Sequence, residues 1–332
     1  MQGGGAHGAF TWGVLDRLLE ESWLEIDGIS GTSAGAMNAV VMASGLTQAG
    51  VPGARQALED FWRAVSDAAL MSPFRRSPLD VLLGRWTLDH SPLFVAFDLA
   101  ARLFSPYSFQ SFGGNPLADI LRDQVNFAAL RTAPIRLFVT ATNVRTGMSR
   151  LFRNGDLSVE ALLASACLPT LYQAVEIDGD AYWDGGYTGN PSITPLVREC
   201  ESHDTILVQI NPIERQGTPR SARAILNRLN EISFNSPLQK ELRMIALLRQ
   251  SLTDDASKRN QESYQWAHMR IHRIASDLMT ELGYSSKLNA EWTFLCMLRD
   301  EGRRSAQAFL DEHGAAIGQR SSFDLNDLLE HW

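Results

Sequence analysis

Lysine is nearly missing from this 332-residue chain, which has only Lys240, Lys258 and Lys287 and otherwise relies on arginine for positive charge. The formal net charge of −8 leaves no basic surface, which argues against nucleic acid as a partner. Cysteine is as scarce: Cys167, Cys200 and Cys296 form no CxxC pair and are too scattered for a disulfide framework. That usage fits a reducing, cytoplasmic setting. No apolar run approaches the ~20 residues of a membrane span; the most apolar stretch, "SPLFVAFDLAARLF", is broken by Asp98 and Arg102. No signal peptide is visible, although the short N-terminus leaves secretion open. There is no HExxH and no Cys/His cluster, so neither a metal nor another cofactor is expected. A glycine-rich loop begins at Gly3 with only Met1 and Gln2 before it. Such loops normally follow a strand, so an upstream strand is expected.

What is present is an alternation of short apolar segments. "AFTWGVLDRLLEES" places Phe10, Val14, Leu15, Leu18 and Leu19 on one face of a helix. "LEIDGIS" reads as a strand, and "AMNAVVMASG" as a small-residue helix ended by Gly45. Residues 56–66 read as helix, and 70–116 as an irregular insertion rich in Pro, Phe, Ser and Gly. "IRLFVTATNV" and "DTILVQI" are near-continuous apolar runs of the kind buried in parallel sheets. "SVEALLASACL" reads as a helix stopped by Pro169, and "AVEIDGDAYWDGG" as a hairpin turning at Gly179. After Pro212 the pattern is helical, including "YQWAHMRIHRIASDLM". The chain therefore reads as an α/β core over 1–214 with a helical extension, 215–332, packed on it.

Three motifs carry chemistry. "GTSAG" (31–35) sets Ser33 between a strand and a helix with glycines two residues to either side, the context of a nucleophile elbow. A serine hydroxyl is a poor nucleophile and needs a base and an oxyanion site. "GGGAHG" (Gly3 to Gly8) precedes a helix, so its backbone N–H groups can converge on an anion. It also matches GxGxxG, with Glu25 or Asp27 about twenty residues on, which leaves a dinucleotide-binding reading open. The proton acceptor decides the class. His203, His268, His272, His313 and His331 lack a context that singles one out, yet a Ser–His–Asp esterase using one of them remains the alternative. "YWDGGYTGNPSI" offers instead Asp184, a carboxylate at the head of a Gly-Gly turn.

The ordered set "GGGAHG", "GTSAG" and "DGG", with "ASACLP" (164–169) before the aspartate, resembles the patatin-like phospholipases over roughly Gly3 to Ile210. The resemblance implies a three-layer core, its central, mostly parallel sheet flanked by helices. It implies a serine acyl hydrolase on lipid or simpler esters, with Ser33 as nucleophile and Asp184 as its base. Gly4 and Gly5 would supply oxyanion N–H groups, with Gly3 and Gly8 shaping the loop. Transient contact with a membrane surface is a further expectation. One residue departs from the family: His7 stands where an arginine or lysine is common, so a phosphate would be held more weakly. The aromatics of 70–116, among them Phe74, Phe94, Phe97, Phe104, Phe109 and Phe112, are expected to rim an acyl site.

Overall fold

The N-terminal loop enters helix α1 (Gly8–Leu18), whose apolar face is fully buried at Phe10, Trp12 and Val14. The computed structural model describes residues 1–70, 72, 74–108, 115–251 and 261–325. Strand β1 (Gly28–Gly31) then leads to α2 (Ala34–Ala69). The segment after it holds α3 (Pro78–Leu82) and α4 (Pro92–Leu103), each started by a serine and a proline at the first helical positions. The core resumes with α5 (Pro116–Gln124), α6 (Phe127–Leu130), β2 (Arg136–Asn143), β3 (Ser149–Arg153), α7 (Val159–Ser165), β4 (Val175–Ile177) and β5 (Asp180–Asp184). It closes with α8 (Thr194–Glu199) and β6 (Asp204–Val208). The remaining chain forms α9 (Ala222–Ser251), α10 (Gln261–His268), β7 (Arg270–Ile274), α11 (Leu278–Glu281) and α12 (Trp292–His313).

The fold is α/β, a central sheet with helices flanking it and a largely helical C-terminal region. Strand β2, buried along nearly its whole length, organises the main sheet. β3 covers one edge of it antiparallel over Phe138–Thr142. β1 and β5 divide the other edge. β1 runs parallel to β2 and ends with Gly31 opposite Val139. β5 runs antiparallel from the far end and finishes with Asp184 opposite Ala141. The C-terminal ends of β1 and β5 thus meet head on at Thr140, and that meeting places the residues following each strand at one point. The expected parallel pairing is found in β1–β2 and β6–β7, while the β2–β3, β2–β5 and β4–β5 pairs are antiparallel. Met1 and Gln2 run between the two sheets: the Met1 amino group donates to Ser30 O (2.8 Å) and Gln2 N–H to Val208 O (3.2 Å). A cavity of about 180 Å³ lies beside them, between the edges of β1 and β6.

Several local expectations are corrected. The helix after Ser33 does not stop at Gly45; it runs on to a break at Ala49 and Gly50 (φ 64°) and restarts through Pro52 to Ala69. Gly45 is instead an interior contact, where a Cβ would lie 2.4 Å from Gly53 O. α7 ends at Ser165, before Pro169 is reached. "YQWAHMRIHRIASDLM" is not one helix: its second half is β7, parallel to β6 and fixed there by Arg270 on Asp204. Buried positions at Trp266, Ala267, Met269, Ile271 and Ile274 suit either period, so the run is ambiguous in sequence. The described residues of the 70–116 insertion include α3, α4 and a 3₁₀ turn at Pro106–Ser108, and Phe74 packs on Phe94 and Phe97, with ring centroids 6.2 and 4.7 Å apart. Phe94 is buried and Phe104 exposed, so these rings do not share one role. Phe109 and Phe112 lie outside the described residues.

The C-terminal region is integral to the packing. α12 lies along α1 so closely that a Cβ on Gly302 would meet Phe10 O at 2.0 Å. Arg303 pairs with Asp16 across that contact, and Arg55 of α2 pairs with the same carboxylate. No helix among the described residues is long and apolar enough to cross a membrane.

Candidate functional site

β1 delivers Thr32 and Ser33 into a turn that α2 closes, with Gly35 N–H donating to Thr32 O (2.8 Å) and Met37 N–H to Ser33 O (3.0 Å). Ser33 sits at φ 52°, ψ −124°, a region that side-chain-bearing residues adopt at a cost of about 1–3 kcal/mol. Such strain persists only where surroundings over-determine it, and here they do. Ser33 N–H donates to Ser165 Oγ (2.9 Å), and Thr32 Oγ1 to Gly189 O (2.6 Å) in the loop after β5. The neighbouring glycines are required by backbone crowding. A Cβ on Gly35 would lie 2.4 Å from Met1 O, and one on Gly3 would lie 2.6 Å from Ser33 Cβ. The loop at 3–8 and the serine turn are therefore in direct contact.

Within the loop, the glycines divide their tasks. Gly3 N–H is taken by Asn190 Oδ1 (2.7 Å), and Gly3 O accepts from Asn211 Nδ2 (2.7 Å). Among the described residues no protein acceptor takes the Gly4 or Gly5 N–H. Gly8 packs on the start of α2, where a Cβ would meet Ala34 Cβ at 2.6 Å. His7 is buried, and burial followed by the charges of Lys287 and Arg215 holds its pKa well below the usual value. Ser286 Oγ gives its proton to Gly283 O (2.6 Å), so at its 2.8 Å contact with His7 Nε2 it must accept. His7 is thus a neutral imidazole with its hydrogen on Nε2.

Asp184 ends β5 at 1% exposure. Its Oδ1 accepts from Gly186 N–H (2.7 Å), its N–H donates to Cys167 O (2.7 Å), and its carbonyl accepts from Thr142 Oγ1 (2.8 Å). Burial pushes its carboxyl up to about 7, while hydrogen bonding from Gly186 and the Ser33 hydroxyl, and the Lys287 charge, act the other way. The Ser33 hydroxyl influences the carboxyl without a tight bond between them in the resting site, as is common before substrate binds. The structure brings together Ser33, Asp184 and the Gly3–Gly8 loop. Asn190, Asn211, Ser165 and Lys287 also stand there and were not singled out from sequence. The "ASACLP" and "GNPSI" segments hinted at Ser165 and Asn190; nothing local pointed to Asn211 or Lys287.

The downstream candidate histidines lie elsewhere. None among the described residues hydrogen-bonds Ser33 or Asp184, and His331 is outside those residues. His272 does form a Ser–His–Asp arrangement, with Nδ1 2.9 Å from Ser322 Oγ and Nε2 3.0 Å from Asp204 Oδ1. Burial works to raise the Asp204 carboxyl, but bonds from Arg270, Gly318 N–H and His272 hold it well below the carboxylate range. Ser321 joins the same cluster by accepting Ile271 N–H (3.1 Å). These contacts fasten the 317–323 segment to β6 and β7. Among the described residues no cluster of three His, Cys, Asp or Glu side chains forms a metal site. Of the two acidic residues the dinucleotide reading offers, Asp27 is engaged by Arg136 and by the Ser202 N–H (3.1 Å), while Glu25 is exposed.

A family model described as patatin-like phospholipase matches residues 1–197, a span that includes the glycine loop, Ser33 and Asp184. Comparison with curated proteins found no match.

Proposed function

This chain belongs to the patatin-like phospholipase family, which makes it in general terms a lipid acyl hydrolase, and from that premise we propose that it cleaves carboxylic esters with a Ser33–Asp184 dyad. One observation carries the reading: among the described residues, a strained, partly exposed serine lies against a loop with two unclaimed N–H groups, and the only ionisable partner of its hydroxyl is a buried carboxyl. Asp184 takes the Ser33 proton as Oγ attacks the ester carbonyl. The tetrahedral oxyanion faces the Gly4 and Gly5 N–H groups. Asp184 then returns the proton to the departing alcohol, leaving an acyl-enzyme. Water is deprotonated by Asp184, attacks the acyl carbon, and releases the acid as Ser33 recovers its proton. No step requires a nicotinamide or a metal. Contact with a lipid surface belongs to the same reading, supported by the exposed Leu93, Leu99 and Leu103 along α4 and Leu229 and Ile232 along α9.

The experiment is covalent labelling with a fluorophosphonate, followed by peptide mapping. The label is expected on Ser33 and on no other serine. Ser322→Ala and His272→Gln are expected to leave labelling and p-nitrophenyl ester turnover within about two-fold of wild type, because their cluster only fastens the chain. Label on Ser322, or loss of turnover in a folded His272→Gln protein, would replace the dyad by the Ser322–His272–Asp204 reading.

A further inference from the structure

The glycine loop lacks the positive charge that His7 does not carry, and the chain brings one from far away in sequence. Residues Tyr284–Leu288 form a 3₁₀ turn laid over the loop. Its outer side is fastened to the insertion: Leu88 N–H donates to Ser285 Oγ (3.0 Å), and Asn289 Nδ2 to Trp86 O (3.1 Å). Its inner side meets the loop twice, at His7 through Ser286 and at Gly5. Gly5 has φ 58°, and a Cβ there would lie 2.4 Å from Lys287 O, so only glycine lets the two backbones approach. Lys287 Nζ donates to Asn211 Oδ1 (2.7 Å), and the same Asn211 holds Gly3 O through Nδ2. The ammonium also stands 5.3 Å from the Tyr284 ring centre. Among the described residues no carboxylate lies within ion-pair distance of Nζ. Glu231, the nearest candidate by its effect, is engaged by Arg215 (2.8 Å) and Arg228 (3.1 Å).

A half-buried ammonium without a carboxylate partner is expensive to fold around, and such groups concentrate at functional sites. We propose that Lys287 is the fixed positive charge of this acyl-transfer site, a positioning residue that orders the Gly3–Gly5 loop through Asn211 and keeps Asp184 in its proton-accepting form. The inference rests on the Ser33–Asp184 reading. Lys287, Cys167, Tyr187 and Tyr284 interact electrostatically with Asp184. The thiol and both phenols are raised, mainly by burial, so at neutral pH they are uncharged and Lys287 is the cation acting on the carboxylate. Lys287 in turn feels Glu231, Arg215 and Asp184, and burial lowers it to about 8. Its charge therefore begins to fade just above the pH at which Asp184 ionises.

The pH dependence of Ser33 labelling by a fluorophosphonate, alongside kcat/KM for a p-nitrophenyl ester, tests this. Wild type is expected to give a bell, rising through about 7 as Asp184 ionises and falling through about 8 as Lys287 loses the charge with which it orders the Gly3–Gly5 loop through Asn211, the two limbs belonging to the coupled pair. Lys287→Met is expected to lose the falling limb, move the rising limb upward by about one pH unit and so react about five-fold more slowly at pH 7, where the ionised fraction of Asp184 drops from about a half to about a tenth. Lys287→Arg keeps the charge at all working pH. It is expected to leave the rising limb in place and abolish the falling one. If Ser33 is not labelled in wild type, the dyad itself fails. If Ser33 is labelled but the falling limb survives in Lys287→Arg, or a folded Lys287→Met has the wild-type profile, Lys287 has no such role.

Discussion

Asp184→Asn is expected to abolish ester turnover and, at the same time, to make the protein more stable above neutral pH. The two effects have one cause. Burial raises the carboxyl from 3.8 to about 7, so the ionised form that accepts the Ser33 proton is the form the folded protein holds least well. Keeping that charge in the folded state costs on the order of 4 kcal/mol. Asn keeps an oxygen to accept the Gly186 N–H and nearly the same shape, but has no charge to desolvate and cannot take a proton in this range.

The sign of the stability effect follows from linkage. A group whose folded pKa lies above its unfolded value contributes stability that is complete below 3.8 and is lost as pH rises through about 7. Asp184→Asn should therefore melt somewhat below wild type near pH 4, where only the cost of its buried amide counts, then cross it and reach a plateau above it beyond pH 8. Part of the gain is offset because Asn buries an amide whose N–H groups lack obvious acceptors, so a net advantage of about 1–3 kcal/mol is expected. Thermal melts across pH 4–9 measure it, and turnover of a p-nitrophenyl ester measures the loss, expected to reach at least ~10³-fold. An Asp184→Asn protein that is less stable than wild type at pH 8 would contradict a buried, costly carboxylate. One that keeps a tenth of its turnover would remove Asp184 from the role of base.

The motifs were legible because each rests on a backbone demand that few residues meet. Gly3 and Gly35 have no room for a Cβ, and that crowding leaves a mark in the sequence. The hairpin at Asp178–Gly179 was legible for a similar reason, both residues having positive φ. What could not be read was anything fixed by contact across the fold. The end-to-end meeting of β1 and β5 on β2 depends on register, which no single segment encodes. β7 was hidden because its apolar spacing serves a helix as well as a strand, and its pairing with β6 decided the matter. Lys287 was hidden most deeply. It lies about 280 residues from the loop it touches, and its only visible distinction was belonging to a residue type the chain scarcely uses.

Ser33 is expected to show a second pairing of lost activity with relieved strain. Ser33→Ala removes the nucleophile while keeping a Cβ, so it should lose at least ~10³-fold in turnover and remain folded by circular dichroism. Ser33→Gly removes the nucleophile and also the Cβ that makes φ 52°, ψ −124° unfavourable. Relief of about 1–3 kcal/mol is opposed by roughly 0.5–1 kcal/mol of added unfolded-state entropy, which leaves the glycine variant more stable than the alanine variant by up to ~2 kcal/mol. The comparison between two inactive proteins isolates the backbone term, because neither has a hydroxyl to interact with Asp184. Melting both at one pH decides it. A glycine variant no more stable than the alanine variant would mean that the turn is held without strain, and that Ser33 owes its geometry to the Ser165 and Gly189 contacts alone. Should Ser33→Ala retain more than about a tenth of wild-type turnover, the chemistry belongs to another residue. Loss of turnover with the glycine variant the more stable of the two is the outcome expected of a serine held under strain for attack.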